Sequence, residues 1–227
     1  MARLSNRDRE IVADTVRCHI MTNEILHEHR FPNQRANAVT RVTARLCREE
    51  WLSGFPLNYP RKYFVPGKRA VKHHGIDESR SFPLGPQSLP TEYACLEYVF
   101  NLQIRRTRIT TEEIRRRLPW YAGEWCTSPH CLSVSDDMAI LELLRVDLGG
   151  PADHVARKCR VDIERRCEQT EFRRFLQEET FRLVVITATT DKAAAIQQSL
   201  DRHLWPSELK MHIAVIPALL PLMPGSP

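Results

Sequence analysis

The sequence predicts an α+β chain of two domains: a small helical unit closed by a β-hairpin, then a larger α/β domain. Three observations predict it. Apolar residues recur at helical spacing over residues 5–50, two short aromatic and β-branched runs follow directly, and strand-like and helix-like runs alternate past residue 90. With 227 residues the chain exceeds the usual single-domain size of about 100 to 150.

Ser5 with Asp8 three residues on reads as a capping pair, and Ile11, Val12, Thr15 and Val16 continue a helix to about His19. Thr22 caps a second helix of about two turns with Ile25 and Leu26 facing inward; Phe31-Pro32 stops it, because a residue before proline avoids helical geometry. A third helix is expected from Asn33 to Glu50, carrying Val39, Val42 and Leu46. Then come Trp51 to Leu57 and Lys62 to Pro66, joined by the polar Asn58-Tyr59-Pro60-Arg61, which read as a hairpin. Gly67 to Gly75 reads as a short basic helix. Three helices and a hairpin in this order make residues 1–75 a winged helix-turn-helix. Ile76 to Gln87 has Ser, Pro and Gly without periodicity, so residues 76–89 are read as a linker.

Beyond it, in residues 90–227, Pro90-Thr91-Glu92 opens a helix with Tyr93, Leu96, Val99 and Phe100, and Thr110 to Glu113 opens another that ends at Pro119. Leu132 to Leu148 suits a hairpin of buried strands. A polar helix is expected from about Asp153 to Gln169, a buried strand over Phe181 to Ala188, an amphipathic helix over Asp191 to Leu204 and a last strand over Met211 to Ile216. No internal repeat is present.

The net charge of +5 is unevenly spread. Residues 1–75 hold 14 Lys and Arg against 7 Asp and Glu, while the rest holds 19 against 21. A basic excess on a small domain is the footprint of a phosphate-binding surface. On a helical wheel with Val39 at zero, Val42 and Leu46 fall within about 60 degrees, and Gln34, Asn37, Arg41, Arg45 and Arg48 fall at about 160 to 240 degrees. Asn, Gln and Arg are the side chains with bidentate reach to base edges. With Arg35 they form the candidate reading surface; Arg61 and Lys62 at the hairpin, with Lys68, Arg69 and Lys72, form a second basic surface, and Arg7 and Arg9 lie at the start of the first helix. The expected partner is double-stranded DNA, met by a homodimer, because one such module covers a single half-site.

The chain resembles the replication-relaxation proteins of plasmids and integrative elements in Leu4-Ser5-Asn6-Arg7-Asp8, Arg45-Leu46-Cys47-Arg48, Trp51-Leu52, Tyr63-Phe64-Val65-Pro66-Gly67, Ser135-Asp136-Asp137 and Val146-Asp147-Leu148-Gly149. The resemblance implies a winged helix joined to a domain similar to the PD-(D/E)xK, restriction-endonuclease-like fold. Such a nuclease holds Mg²⁺ with two acids and uses a lysine two residues after the second. Asp136 or Asp137 and Asp147 fit the acids, but Gly149 stands where the lysine belongs; Lys158 and Glu142 are the spare groups. The expectation is therefore a transcriptional regulator of a mobile element without catalysis, the alternatives being a metal-dependent endonuclease or a replication or relaxosome accessory.

Other motifs add no chemistry. Cys126 to Cys131 holds two cysteines and His130 but no fourth zinc ligand, and Gly149-Gly150-Pro151 lacks the lysine of a phosphate loop. His73-His74 reads as a surface pair. No cofactor, metal or nucleotide is expected. Seven scattered cysteines fit reduced, packed thiols. No apolar run nears the roughly 18 residues that span a membrane, and Met1 to Asn6 has no apolar core behind Arg3, so the expected location is the cytoplasm.

Overall fold

The computed structural model describes residues 4–100, 103–121, 128–135 and 138–223. It is a mixed α and β structure with two sheets, and the chain divides into two compact units, Met1–Leu96 and Glu97–Pro227.

In the first unit, α1 (Asn6–Cys18) starts at a full capping box: Asp8 N donates to Ser5 Oγ at 3.2 Å and Ser5 N donates to Asp8 Oδ2 at 3.0 Å. The two-residue strand β1 (Met21–Thr22) leads into α2 (Asn23–Arg30), whose Ile25 N is capped by Thr22. Arg30 closes α2 onto α1 with a forked pair to Asp14, at 2.9 and 2.6 Å. Burial raises the Asp14 pKa even against that partner.

The third helix, α3 (Ala36–Arg48), is shorter than its sequence pattern. Gln34 N donates to Phe31 O at 3.0 Å, so Phe31 to Gln34 is a turn and Arg35 the N-cap; Gln34 and Arg35 precede the helix. Its inner face is Val39, Thr43 and Leu46, with Val42 only half-buried. The Thr43 hydroxyl is satisfied by Val39 O at 3.1 Å, which is why a polar residue sits on that face. Burying Val39 and Leu46 contributes about 1.5 to 3 kcal/mol each.

Strands β2 (Leu52–Asn58) and β3 (Arg61–Pro66) form the antiparallel hairpin, and β1 pairs with the other edge of β3, giving the order β1-β3-β2. At Gly67 an added Cβ would lie 2.2 Å from Glu50 O, so only glycine lets the chain pass the end of α3 on its way into α4 (Lys68–His74). Gly75, at φ 63°, ends α4 in the left-handed conformation. Residues 76–89 are not a free linker. Glu78–Ser81 is a 3-10 turn, Arg80 donates to Val16 O at 2.9 Å, and Leu84 N donates to the Tyr63 hydroxyl at 2.9 Å. The division between the units falls later, within α5 (Ser88–Val99).

The second unit holds one sheet in the order β4-β5-β6-β7-β8. β4 (Arg106–Ile109), β5 (His130–Ser135) and β6 (Met138–Val146) are an antiparallel meander; β7 (Phe181–Thr187) and β8 (Lys210–Val215) continue parallel to β6. Parallel neighbours need crossovers, supplied by α7 (Ala152–Cys167) with α8 (Thr170–Gln177), and by α9 (Thr190–Leu200). Alternate strand residues Leu141, Leu143, Phe181, Leu183 and Val185 meet Ile163, Phe172, Leu176 and Ile196 in one core, joined by Ile114 of α6 (Thr111–Arg117). All four helices therefore cover one sheet face. The opposite face carries Arg106, Cys131, Ser133, Glu142 and Arg182. No helix among the described residues is long and apolar enough to cross a membrane.

Candidate nucleic-acid interface

The outer surface of α3 is a strip of Asn37, Thr40, Arg41, Ala44 and Arg48, all exposed and spaced by three or four residues. It contains no carboxylate, and Arg41 and Arg48 have no ion-pair partner among the described residues. Gln34 and Arg35 are exposed just before the helix, where Gln34 O contacts His27 Nε2 at 2.6 Å.

Three of the ten sequence-predicted contact residues are instead held inside the unit. Arg45 Nη2 donates to Asp8 Oδ1 at 2.7 Å and Nη1 lies 3.6 Å from Glu49. The Asp8 bond raises the Arg45 pKa, while on Asp8 the upward push of burial is outweighed by the bonds from Arg45 and Ser5, leaving its carboxyl below the usual range. Arg61, next to the Tyr59-Pro60 turn and paired with Asn58, is drawn away from solvent: it donates to Glu24 at 3.0 Å and to the Tyr93 hydroxyl at 2.8 Å, and lies over the Tyr93 ring. Arg69 stacks 4.8 Å from the Trp51 ring centroid and donates to Glu49 O at 3.2 Å. Arg7 likewise lies 4.4 Å over Phe31. Lys62, Lys68 and Lys72 remain exposed. Lys62 stands with Thr40, Ala44, Cys47, Gly54 and Phe64 around a groove of about 610 Å³ between α3 and the hairpin. Burial raises the Cys47 thiol there, and the Lys62 ammonium partly offsets it.

In the second unit the acids expected for metal binding are differently used. Asp136 and Asp137 lie outside the described residues, as does Cys126. Asp147, at the end of β6 and 1% exposed, accepts from Thr187 Oγ1 and Gly149 N, each at 3.0 Å. Lys158 is exposed on α7, and no group of three or more His, Cys, Asp or Glu among the described residues is arranged to hold a metal ion.

Glu142, read from sequence only as a spare acid, is a hub. Fully buried, it accepts from Tyr98 Oη (3.1 Å), Cys131 Sγ (3.1 Å), Ser133 Oγ (3.0 Å), Arg106 Nε (3.3 Å) and Arg182 Nη1 (2.9 Å). Burial, then the neighbouring Glu142 charge, pushes the Tyr98 phenol up. His130 and Cys131 are successive strand residues and serve opposite faces, so they do not converge on one ion. His130 Nε2 lies 2.8 Å from the Tyr121 hydroxyl, which accepts from Arg166 Nε at 3.0 Å; Arg166 in turn meets Asp162. Arg166 can only donate, so the Tyr121 hydroxyl accepts from it and keeps its own proton to offer to a neutral His130 Nε2. Burial, reinforced by the Arg166 charge, lowers the His130 pKa to about 3.

Compared with known proteins, the chain matches no family model, no curated protein and no solved structure.

Proposed function

We propose that the chain is a sequence-specific double-stranded DNA-binding protein acting as a transcriptional regulator. In this reading the first unit works as a winged helix-turn-helix: α2, the Phe31 to Arg35 turn and α3 form the motif, and the β2–β3 hairpin is the wing. The observation that carries it is the acid-free outer strip of α3, where Asn37, Arg41 and Arg48 stand exposed and unneutralised. Unpaired guanidiniums on one helix face have both the fork for guanine and the charge for phosphate. Gln34 and Arg35 lie at the helix N-terminus, the end that meets base edges in such motifs.

A second copy would cover a two-fold site, and the second unit, which resembles the PD-(D/E)xK fold only through the sequence motifs quoted above, would serve pairing or partner binding. Gly149 at the lysine position and the hydrogen-bonded Asp147 support a domain that does not cut. The likeness to replication-relaxation proteins supports a role on a mobile element.

The test is selection of duplexes from a random pool with Mg²⁺ present, the recovered DNA being run on a gel. The reading predicts one enriched inverted repeat, recovered intact. Cut or nicked products would move the function to an endonuclease, and no enrichment would contradict sequence-specific binding.

A further inference from the structure

The second unit is close to neutral by composition, yet its charges are not evenly paired. Eight of its eighteen Lys and Arg have a carboxylate: Arg106 and Arg182 meet Glu142, Arg145 and Arg166 meet Asp162, Arg160 meets Glu164, Arg174 meets Glu178, Lys210 meets Glu179, and Arg202 meets Asp153. Arg157, Lys158, Arg165 and Arg173 on α7 and α8 are exposed without an ion pair among the described residues, and so are four arginines at the β4–α6 end of the unit. Arg105, directly before β4, and Arg115, Arg116 and Arg117 in the last turn of α6 are all exposed and have no ion-pair partner among the described residues.

β4 and α6 lie on the same side of the unit. Alternation along β4 puts Arg105 on the same sheet face as Thr107 and Ile109, and that is the face α6 covers through Ile114. β4 is also an edge strand, paired among the described residues with β5 alone, and Thr107 is exposed. The acids of α6 do not offset the patch: Glu113 is spent in the capping box, where its Oε2 accepts from Thr110 N at 3.0 Å, leaving Glu112 alone against four guanidiniums.

We propose that this β4–α6 edge is a second, sequence-independent contact for the phosphate backbone of duplex DNA. The inference rests on the DNA-binding reading of the first unit and extends it. Unpaired arginines are suited to phosphates, whose oxygens take the guanidinium fork without reference to base identity. The other task open to Arg115, Arg116 and Arg117 is to stabilise the C-terminus of α6 through its dipole; that role changes melting temperature and leaves salt dependence alone.

The experiment titrates the full chain against a labelled mixed-sequence duplex of about 30 base pairs, from about 50 to about 300 mM salt, and reads the slope of log K against log salt. The triple variant Arg115→Ala, Arg116→Ala, Arg117→Ala is expected to lose about 2 to 3 units of slope, and Arg105→Ala about 1. The triple Arg→Lys variant keeps the parent slope. A parent slope retained by both alanine variants, with the parent bound, overturns this inference and leaves the reading of α3 standing. A parent that shows no salt-dependent binding overturns both. Should the triple variant melt below the assay temperature, Arg105→Ala and the single Arg116→Ala carry the test, each expected to lose about 1 unit.

Discussion

One carboxylate, that of Asp8, joins the start of α1 to α3: its Oδ2 accepts from Ser5 N at 3.0 Å and its Oδ1 takes Arg45 Nη2 at 2.7 Å. Asp8 is 2% exposed, so its charge is stable only with these partners. Arg45→Ala should therefore lower the stability of the first unit by about 1 to 3 kcal/mol, through an uncompensated buried charge. Denaturant titration checks it. An unchanged midpoint would mean that Arg45 is free to face a ligand, as its position on the helical wheel alone implies.

The same pair sets a pH dependence. The Asp8 pKa is lower in the fold than its ordinary 3.8. Below that value the unfolded chain takes up the proton first, so this contribution is complete above pH 3.8 and is lost as pH falls further.

His130 acts in a different window. With a folded pKa of about 3 against an ordinary 6.5, it stays neutral in the fold while the unfolded chain binds a proton between these values. Unfolded binding more protons means that stability rises with pH, so it should fall on acidification from about pH 6.5, approaching about 1.4 kcal/mol per pH unit at the steepest. Urea midpoints at pH 5 and pH 7, compared with those of His130→Phe, isolate the effect: the variant should show a smaller difference. An identical difference would place the acid sensitivity elsewhere.

Glu142→Gln should destabilise the second unit by about 3 to 5 kcal/mol. The substitution removes the charge that balances Arg106 and Arg182 and turns an amide N–H₂ toward existing donors. Thermal unfolding measures it; a shift of a degree or less would show that the five-donor arrangement is not what holds β4, β6 and β7 in place.

Local chemistry was legible where it is local. Both capping boxes, Ser5 with Asp8 and Thr110 with Glu113, follow from residues three apart, and the hairpin follows from its composition. What escaped the sequence depends on distant partners. β4 reads as Arg-Thr-Arg-Ile, a polar run, and becomes a strand with Arg108 buried and the side chain of Arg106 nearly so; for Arg106 the compensating charge, Glu142, lies 36 residues away. β1 is two residues long and shows no period. Arg45, Arg61 and Arg69 point outward on any wheel or strand pattern, but whether a carboxylate, a carbonyl or a ring waits for them is fixed by Asp8, Glu24, Glu49 and Trp51, through packing that periodicity does not report. The linker failed for the same reason: Arg80 finds Val16 O from 64 residues away.

The most direct test of the account sets Arg41 against Arg45 on the same helix, using the duplex recovered by selection. Arg41→Ala is expected to weaken binding by about 1 to 3 kcal/mol with an unchanged melting temperature, because Arg41 is exposed and unpaired. Arg45→Ala should lower the melting temperature, and at a temperature where it stays folded should bind nearly as the parent does. Equal affinity of Arg41→Ala and parent would contradict the claim that the outer strip of α3 reads DNA.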